Sequence, residues 1–344
     1  MHPSLLRSLA CPECGSSLAL RPSHRSGDQV LGGRLSCRGC GKVYRVDRGV
    51  PRLTAAGGRL EGVAASFSYE WRAQSEGAFE PGRVFGRTPD EEWLDFLRFM
   101  GLRAEDLVGA TVLDAGCGPA GLTAAIGAAG AATVVGVDLS EGVDSAFERC
   151  RHLGNVDIVQ ANILALPFKP ASFDYVWSLG AIHHTPDPRA AHAALASRVK
   201  PGGTLFVWVY SKRPNLFRAG RTAFDRLNLR GLRAPELHRA AGALAALTLV
   251  GIQAYRRLRS PRWLQPRGEW GRRALKPRTR GELELTWFDA LAPEYASRHT
   301  EAEVEGWFRE AAFVDVVAYD DPNVAVRGRA PGAAPSASAG LLTR

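Results

Sequence analysis

Three observations predict an α/β fold with a parallel sheet, a small metal-held ribbon ahead of it and a basic helical insertion within it. A glycine-rich turn joins an apolar run to a helical stretch between Thr111 and Ala129, and strand-length apolar runs recur from there to Tyr210. Two Cys-x-x-Cys pairs stand near the N terminus. The 344 residues are 45% hydrophobic and 23% charged, which fits a soluble globular protein. That composition excludes chain-wide disorder, collagen-like repeats and a disulfide-dense mini-protein, and the length allows a large domain plus a small one.

The opening MHPSLLRSLA has no apolar stretch long enough for a signal peptide, and no run reaches the ~18 apolar residues of a membrane span. The longest candidate, Ala240 to Tyr255, is interrupted by Gly242, Thr248, Gly251 and Gln253. The expected location is therefore cytoplasmic.

The first element is Cys11-Pro-Glu-Cys14-Gly followed by Cys37-Arg-Gly-Cys40-Gly. Two residues between the thiolates of a pair let both reach one tetrahedral ion, so Cys11, Cys14, Cys37 and Cys40 predict a structural zinc site. Gly15 and Gly41 suit tight turns whose amides face the sulfurs. The intervening segment has too little apolar content for a core, so metal is expected to hold it. Two disulfides or a redox pair are the alternatives; a cytosolic chain disfavours the first and the doubled spacing the second. Cys117 and Cys150 read as small buried residues.

Next comes a strand, Thr111 to Asp114, entering Ala115-Gly116-Cys117-Gly118-Pro119-Ala120-Gly121, with the helix Leu122 to Ala129 behind it. The glycines let backbone approach a ligand, and the helix N terminus offers free amides. A second strand, Thr133 to Val137, ends in Asp138, where a carboxylate would hold ribose hydroxyls. To this point the pattern is that of any Rossmann-like nucleotide binder. Asp114, two residues before the first glycine, stands where dinucleotide enzymes usually keep an apolar residue. A strand end and turn follow at Gln160 to Phe168, a fourth strand at Phe173 to Ser178 running into Leu179-Gly180-Ala181-Ile182-His183-His184, and a turn into a fifth strand from Val199 through Tyr210.

In that order DAGCGPAG, VGVDLS, NILALPF, FDYVWSLGAIHHTPDP and VKPGGTLF closely resemble the class I S-adenosylmethionine-dependent methyltransferases, most of all the group containing the quinone-biosynthesis methyltransferases. The resemblance implies a Rossmann-like, seven-stranded sheet and S-adenosylmethionine as methyl donor. It places Gly116, Gly118 and Gly121 along the methionine and ribose, Asp114 near the ammonium group, Asp138 on both ribose hydroxyls and Leu139 on the adenine. Asn162 stands where relatives often have aspartate and would accept from the adenine amino group, with the Ile163 amide donating to the ring; a plain turn residue is the other reading of Asn162. Asp138 has a second reading as a helix cap, and Trp177 and Phe173 read as sheet core.

Methyl transfer from a sulfonium needs an aligned nucleophile and exclusion of water, and a base only when the acceptor is protonated. His183 and His184 follow the fourth strand, beyond the carboxyl ends of the strands where ligands bind in such sheets. Either would serve as base, and a loop-shaping role is the alternative. His192 reads as surface. Later, Leu285 to Tyr295 leads into a capping box of Thr300 with Glu303, the helix Glu301 to Ala311, and strands Val314 to Tyr319 and Asn323 to Arg327. Its polar residues line the acceptor pocket or serve structure. Ser66 to Trp71 would fold over the cofactor or anchor the two domains.

Between Lys212 and Arg280 lie 18 basic residues against three acidic, in a chain of net charge +9. Such a block points to an anionic partner, or to solvated arginine-rich helix faces. Its apolar centre, Leu237 to Leu258, reads as a lid strut or as a helix at a membrane interface, peripheral at the inner face, and Trp263 and Trp270 suit an interface or RNA. The chain is thus divided into a ribbon (1–55), linker and cap (56–95), core (96–211), insertion or lid (212–280), remaining core (281–329) and disordered tail (330–344). The leading reading is a methyltransferase acting on a small-molecule or lipid-like acceptor. The alternatives are an RNA methyltransferase, since a four-cysteine ribbon also precedes the fold in bacterial rRNA guanine methyltransferases, and a non-catalytic binding module. LGAIHH replaces the Asn/Asp-Pro-Pro-aromatic motif of amino methylation, which argues against adenine-amino or glutamine targets. Acceptor identity and oligomeric state are not set by the sequence.

Overall fold

The computed structural model describes residues 1–54, 61–79, 82–213, 216–226, 232–258 and 278–332. Trp263, Trp270, most of the tail and part of the basic block lie outside the described residues. Four strands come first, β1 (Leu18–Ser26), β2 (Gln29–Cys37), β3 (Val43–Asp47) and β4 (Val50–Leu53). Seven follow: β5 (Thr111–Ala115), β6 (Thr133–Asp138), β7 (Val156–Ala161), β8 (Phe173–Leu179), β9 (Val199–Val209), β10 (Val314–Tyr319) and β11 (Val324–Arg329). The described helices are α1 (Glu61–Ser75), α2 (Pro89–Met100), α3 (Gly121–Ala128), α4 (Val143–Cys150), α5 (Pro188–Ala196), α6 (Leu216–Arg226), α7 (Ala234–Leu258), α8 (Arg280–Leu291) and α9 (Glu301–Glu310).

The seven later strands run in the order β7-β6-β5-β8-β9-β11-β10, parallel from β7 to β9 and closed by an antiparallel hairpin. The expected sheet ends there, but the observed one has eleven strands, because β1 to β4 continue it without a break. The join is a parallel pairing of β4 with β7, Arg52 opposite Gln160 and Leu53 opposite Ala161. A sheet edge leaves backbone N–H and C=O groups without partners, and β4 pairs with the carboxyl end of that edge. Arg52 reinforces the join by donating to Gln160 at 3.2 Å and to the Asp144 carboxylate of α4.

The ribbon therefore has a core after all. Val30, Leu35, Tyr44 and Val46 are buried in one cluster with Leu113, Val135 and Val159 of the central strands, and Met1, Leu5 and Leu9 join it from the N-terminal turn. On the other face, Trp177 stacks on Phe206 at 4.3 Å and Phe99 of α2 stacks on Phe206 at 5.1 Å, while Phe173 is buried in the first cluster against Phe168 at 5.2 Å, so both Trp177 and Phe173 are core. Thr300 and Glu303 close the capping box of α9, and Cys117 and Cys150 are buried.

His192 is buried, contrary to the surface position expected of a histidine in an alanine-rich helix. Its ring packs 4.6 Å from Phe308 and 5.9 Å from Trp307 of α9. Burial pushes its pKa from 6.5 down to about 4. The unfolded chain thus takes up a proton that the folded chain refuses, and stability present above about pH 6.5 is lost as pH falls toward 4. His192→Leu should recover about 2 kcal/mol at pH 5 relative to its effect at pH 7, read from urea unfolding midpoints at the two pH values. Parallel pH dependence in variant and parent would refute it.

In the basic block, α7 spans 25 residues, and its stretch Ala234–Ala254 is long and apolar enough by length and composition to cross a membrane. Gly242, Thr248, Gly251 and Gln253, which interrupt the apolar run in sequence, are accommodated within the helix. Its Leu237, Ala241 and Ala245 pack with Leu283, Trp287 and Phe288 of α8, while Leu247 and Val250 are exposed. Arg221 is not a surface charge: it is buried, pairs with Asp225 and donates to the carbonyls of Ala290, Leu291 and Pro293 at the end of α8. Positive charge is not confined to the insertion either, because residues 1–54 hold nine basic side chains against three acidic. Arg21, Arg34 and Arg45 are exposed and directly opposite one another across β1, β2 and β3.

Candidate functional site

The four ribbon cysteines converge, with all Sγ atoms within 4.8 Å of one another. Cys11 and Cys40 are 3.8 Å apart and Cys14 and Cys37 3.4 Å, close to the edge of about 3.8 Å that a tetrahedron with Zn–S bonds of about 2.3 Å requires. The donor set fits zinc. Gly15 and Gly41 do adopt left-handed backbone, φ +72° and +73°. Their amides, however, bond the carbonyls of Cys11 and Cys37 rather than the sulfurs. The Cys37 sulfur instead accepts from the amides of Gly39 and Cys40, both at 3.4 Å, the two residues just before Gly41.

At the carboxyl end of β5 the chain turns through Gly116 and Gly118, at φ +88° and +47°, before α3 begins at Gly121. A Cβ at Gly116 would lie 2.3 Å from that of Ala181, and one at Gly118 would lie 2.9 Å from the Trp71 ring. Only glycine permits both the backbone and the approach of these neighbours. Trp71 belongs to α1, and the Ser68 hydroxyl on that helix accepts from the Glu141 amide, so α1 lies over the glycine turn and the β6–α4 loop.

A cavity of about 1030 Å³ opens above the strand ends. Gly116, Gly118, Gly121, Asp138, Leu139, Asn162, Ile163, His183 and His184 all line it. Asp114 does not; it is buried behind the turn, where Thr123 donates to its carboxylate at 2.6 Å and burial pushes its pKa up to about 7. Asp138 accepts from the Gly118 amide at 3.0 Å, the Ser140 amide at 2.9 Å and the Ser140 hydroxyl at 2.7 Å, while burial raises its pKa. It is thus fixed at the end of β6 with lone pairs still available to a ligand. Asn162 accepts from the Leu164 amide at 2.9 Å and so caps a short helical turn as well as lining the cavity. These residues fit a nucleoside with a ribose.

The other end of the cavity brings together residues from separate segments. His183 is fully buried, neither ring nitrogen has a hydrogen-bond partner among the described residues, and burial holds its pKa well below the ordinary range, so the ring is neutral. His184 is differently employed: its Nδ1 lies 2.8 Å from the Tyr295 carbonyl and its Nε2 lies 3.7 Å from Asp289. Tyr210, at the end of β9, donates its hydroxyl to Asp289, and the Arg298 guanidinium lies over the Tyr210 ring at 5.1 Å. Burial raises the pKa of both Tyr210 and Asp289, so the phenol and its proton are retained. Sequence reasoning did not single out Tyr210, Asp289 or Arg298. The available signals were the position of Tyr210 at the carboxyl end of a parallel strand and the polar positions of the Leu285–Tyr295 segment.

With the geometry in place, residues 113–207 match the family model described as a methyltransferase domain, and residues 2–49 match that of Trm112p-like proteins. A ubiquinone biosynthesis O-methyltransferase of Methylococcus capsulatus is 41% identical over 103 residues, 29% of this chain and 43% of that one. A tRNA U34 carboxymethyltransferase of Pseudoalteromonas translucida is 35% identical over 130 residues, 36% of this chain and 40% of that one. The chain thus spans less than half the length of either relative. Among solved structures, magnesium protoporphyrin IX methyltransferase from Synechocystis PCC 6803 is 18% identical, with 78% of this chain and 98% of that one covered at a TM-score of 0.45. The glycine turn, Asp138 and the histidine loop all fall inside the matched methyltransferase domain, and the four cysteines inside the matched ribbon. Residues 113–207 are thus a methyltransferase domain of the S-adenosylmethionine-dependent kind, and a Trm112p-like ribbon with four cysteines placed to hold a zinc ion stands ahead of it.

Proposed function

We propose that the chain transfers a methyl group from S-adenosylmethionine to a small-molecule or lipid-like acceptor enclosed in the cavity. One observation carries this reading: a single cavity joins the glycine turn and Asp138 to a buried, neutral histidine with two unpartnered ring nitrogens. When bound, the cofactor would supply an electrophilic methyl group. Asp138 would hold the ribose, Leu139 and Ile163 would flank the adenine with Asn162 beside them, and the glycines would take the methionine portion. Of the two histidines, His183 is the better placed to receive an acceptor proton, because His184 is already held by the Tyr295 carbonyl and faces Asp289. Phe67, Phe85, Leu179, Trp208 and Ile252 give the cavity apolar walls that exclude water. The ubiquinone-pathway relative supports an acceptor of this class, and the ribbon, core and lid divisions drawn from the sequence, with a cytoplasmic setting, belong to the same proposal.

An RNA acceptor is the second reading. It is favoured by Arg21, Arg34 and Arg45, whose like charges oppose one another across three strands and would be stabilised by a phosphate backbone. The tRNA-modifying relative supports it too. Both readings are tested by incubating the purified protein with methyl-labelled S-adenosylmethionine and, separately, lipid extract, polar metabolites and total RNA. Label in the lipid or metabolite fraction is expected. Label in RNA replaces the first reading by the second, and cofactor binding without label anywhere leaves only a binding module.

A further inference from the structure

Glu70 is, with His183, an anomalous polar residue among the described residues. It is wholly buried, and neither carboxylate oxygen has a hydrogen-bond partner among the described residues. It lies on α1 just behind the cavity wall: Phe67, Trp71 and Gln74, which line the cavity, share one helix face with it, while Glu70 itself is not among the lining residues. The charged groups that act on Glu70 are Asp289 from α8 and Asp138 from the end of β6, both acidic and both cavity residues. Burial, together with these two, raises its pKa well above the ordinary carboxylate range.

An unpaired carboxyl group buried among other acids costs stability, and hydrophobic residues of similar size would fill the same space without that cost. Its persistence calls for a partner that the protein chain does not supply. A cation brought beside Asp138 and Asp289 would favour the ionised form of Glu70, which burial and its acidic neighbours otherwise disfavour. S-adenosylmethionine has two positive groups in its methionine portion, the sulfonium and the α-ammonium, and Asp114, the acid expected near the ammonium, is shut away behind the glycine turn. Resting on the methyltransferase reading, we propose that Glu70 receives the positive charge of the cofactor's methionine portion, so that α1 carries a binding residue as well as a cover. The cation then supplies the partner the carboxylate lacks, and its arrival couples cofactor binding to the seating of α1.

The test is calorimetric titration of the full chain and its Glu70→Gln variant with S-adenosylmethionine, S-adenosylhomocysteine and 5′-methylthioadenosine. The last has neither the amino-acid portion nor a positive sulfur, and so reports whether the nucleoside end is intact. The variant is expected to bind S-adenosylmethionine at least tenfold more weakly and methylthioadenosine unchanged. An equal loss for S-adenosylhomocysteine assigns Glu70 to the ammonium, whereas a loss confined to S-adenosylmethionine assigns it to the sulfonium. Unchanged affinity for all three ligands overturns the proposal, and so does an equal loss for all three, which would mark a structural role in α1. A parent protein that binds none of them would instead refute the methyltransferase reading on which the proposal rests.

Discussion

Asp138→Ala should lower the affinity for S-adenosylmethionine by roughly 10² to 10⁴-fold, because two charge-assisted hydrogen bonds to the ribose vanish at about 1.5–3 kcal/mol each. The position leaves little room for compensation. Asp138 sits at the end of β6, is held by the amides of Gly118 and Ser140 and the Ser140 hydroxyl, and faces the cavity directly. The alanine variant also frees the Gly118 amide, so part of the loss would come from a looser glycine turn. Asp138→Asn separates the effects, since its amide oxygen can still accept from the turn while the charge on the ribose side is gone; an intermediate affinity is expected. Calorimetry measures both variants, with circular dichroism to show that the sheet persists. Parent-like affinity in the alanine variant would remove Asp138 from the binding site.

Loss of the ribbon metal is the second large effect. Protein purified without added zinc should contain about one equivalent per chain, and Cys37→Ser should abolish it, because a hydroxyl does not replace the thiolate that takes two amide hydrogen bonds in the knuckle. Zinc-finger peptides draw about 10–16 kcal/mol of apparent folding free energy from their metal. The effect here should be smaller, several kcal/mol, because Leu35, Tyr44 and Val46 are packed in the same cluster as the central strands. At about 2–4 °C per kcal/mol the melting temperature of the whole chain should drop by roughly 10 °C. Since β4 is paired to β7, the loss should be felt in a single transition. Metal-free protein that melts where the holoprotein does would refute a structural zinc.

Features whose chemistry demands a fixed local spacing were legible in the sequence: two Cys-x-x-Cys pairs, a glycine turn between a strand and a helix, a carboxylate ending the second strand, and histidines after the fourth. Each is a short segment that carries its own geometric requirement. The β4–β7 pairing was not legible, because it joins segments about a hundred residues apart and depends only on an available edge. The cluster of Glu70, Tyr210 and Asp289 was hidden for the same reason, its members lying on α1, at the end of β9 and on α8. His192 misled because a lone polar residue among alanines gives no sign that α9 will cover it. The large arginine count of the insertion masked the smaller excess on the ribbon, and the inward turn of Asp114 toward Thr123 followed from strand alternation that the glycine motif overshadowed.

The continuation of the sheet into the ribbon also bears on self-association. An uncovered strand such as β7 is a template for another chain, and its own Val156, Ile158 and Val159 are apolar. By pairing at the carboxyl end of that edge, β4 carries the sheet four strands further to a rim at β1, most of whose residues are exposed, among them Arg21, Pro22, His24 and Arg25. Like charges and a proline at a rim oppose edge-to-edge stacking. The ribbon thus gives the sheet a charged, proline-bearing outer rim in place of an apolar one, whatever acceptor the cavity takes.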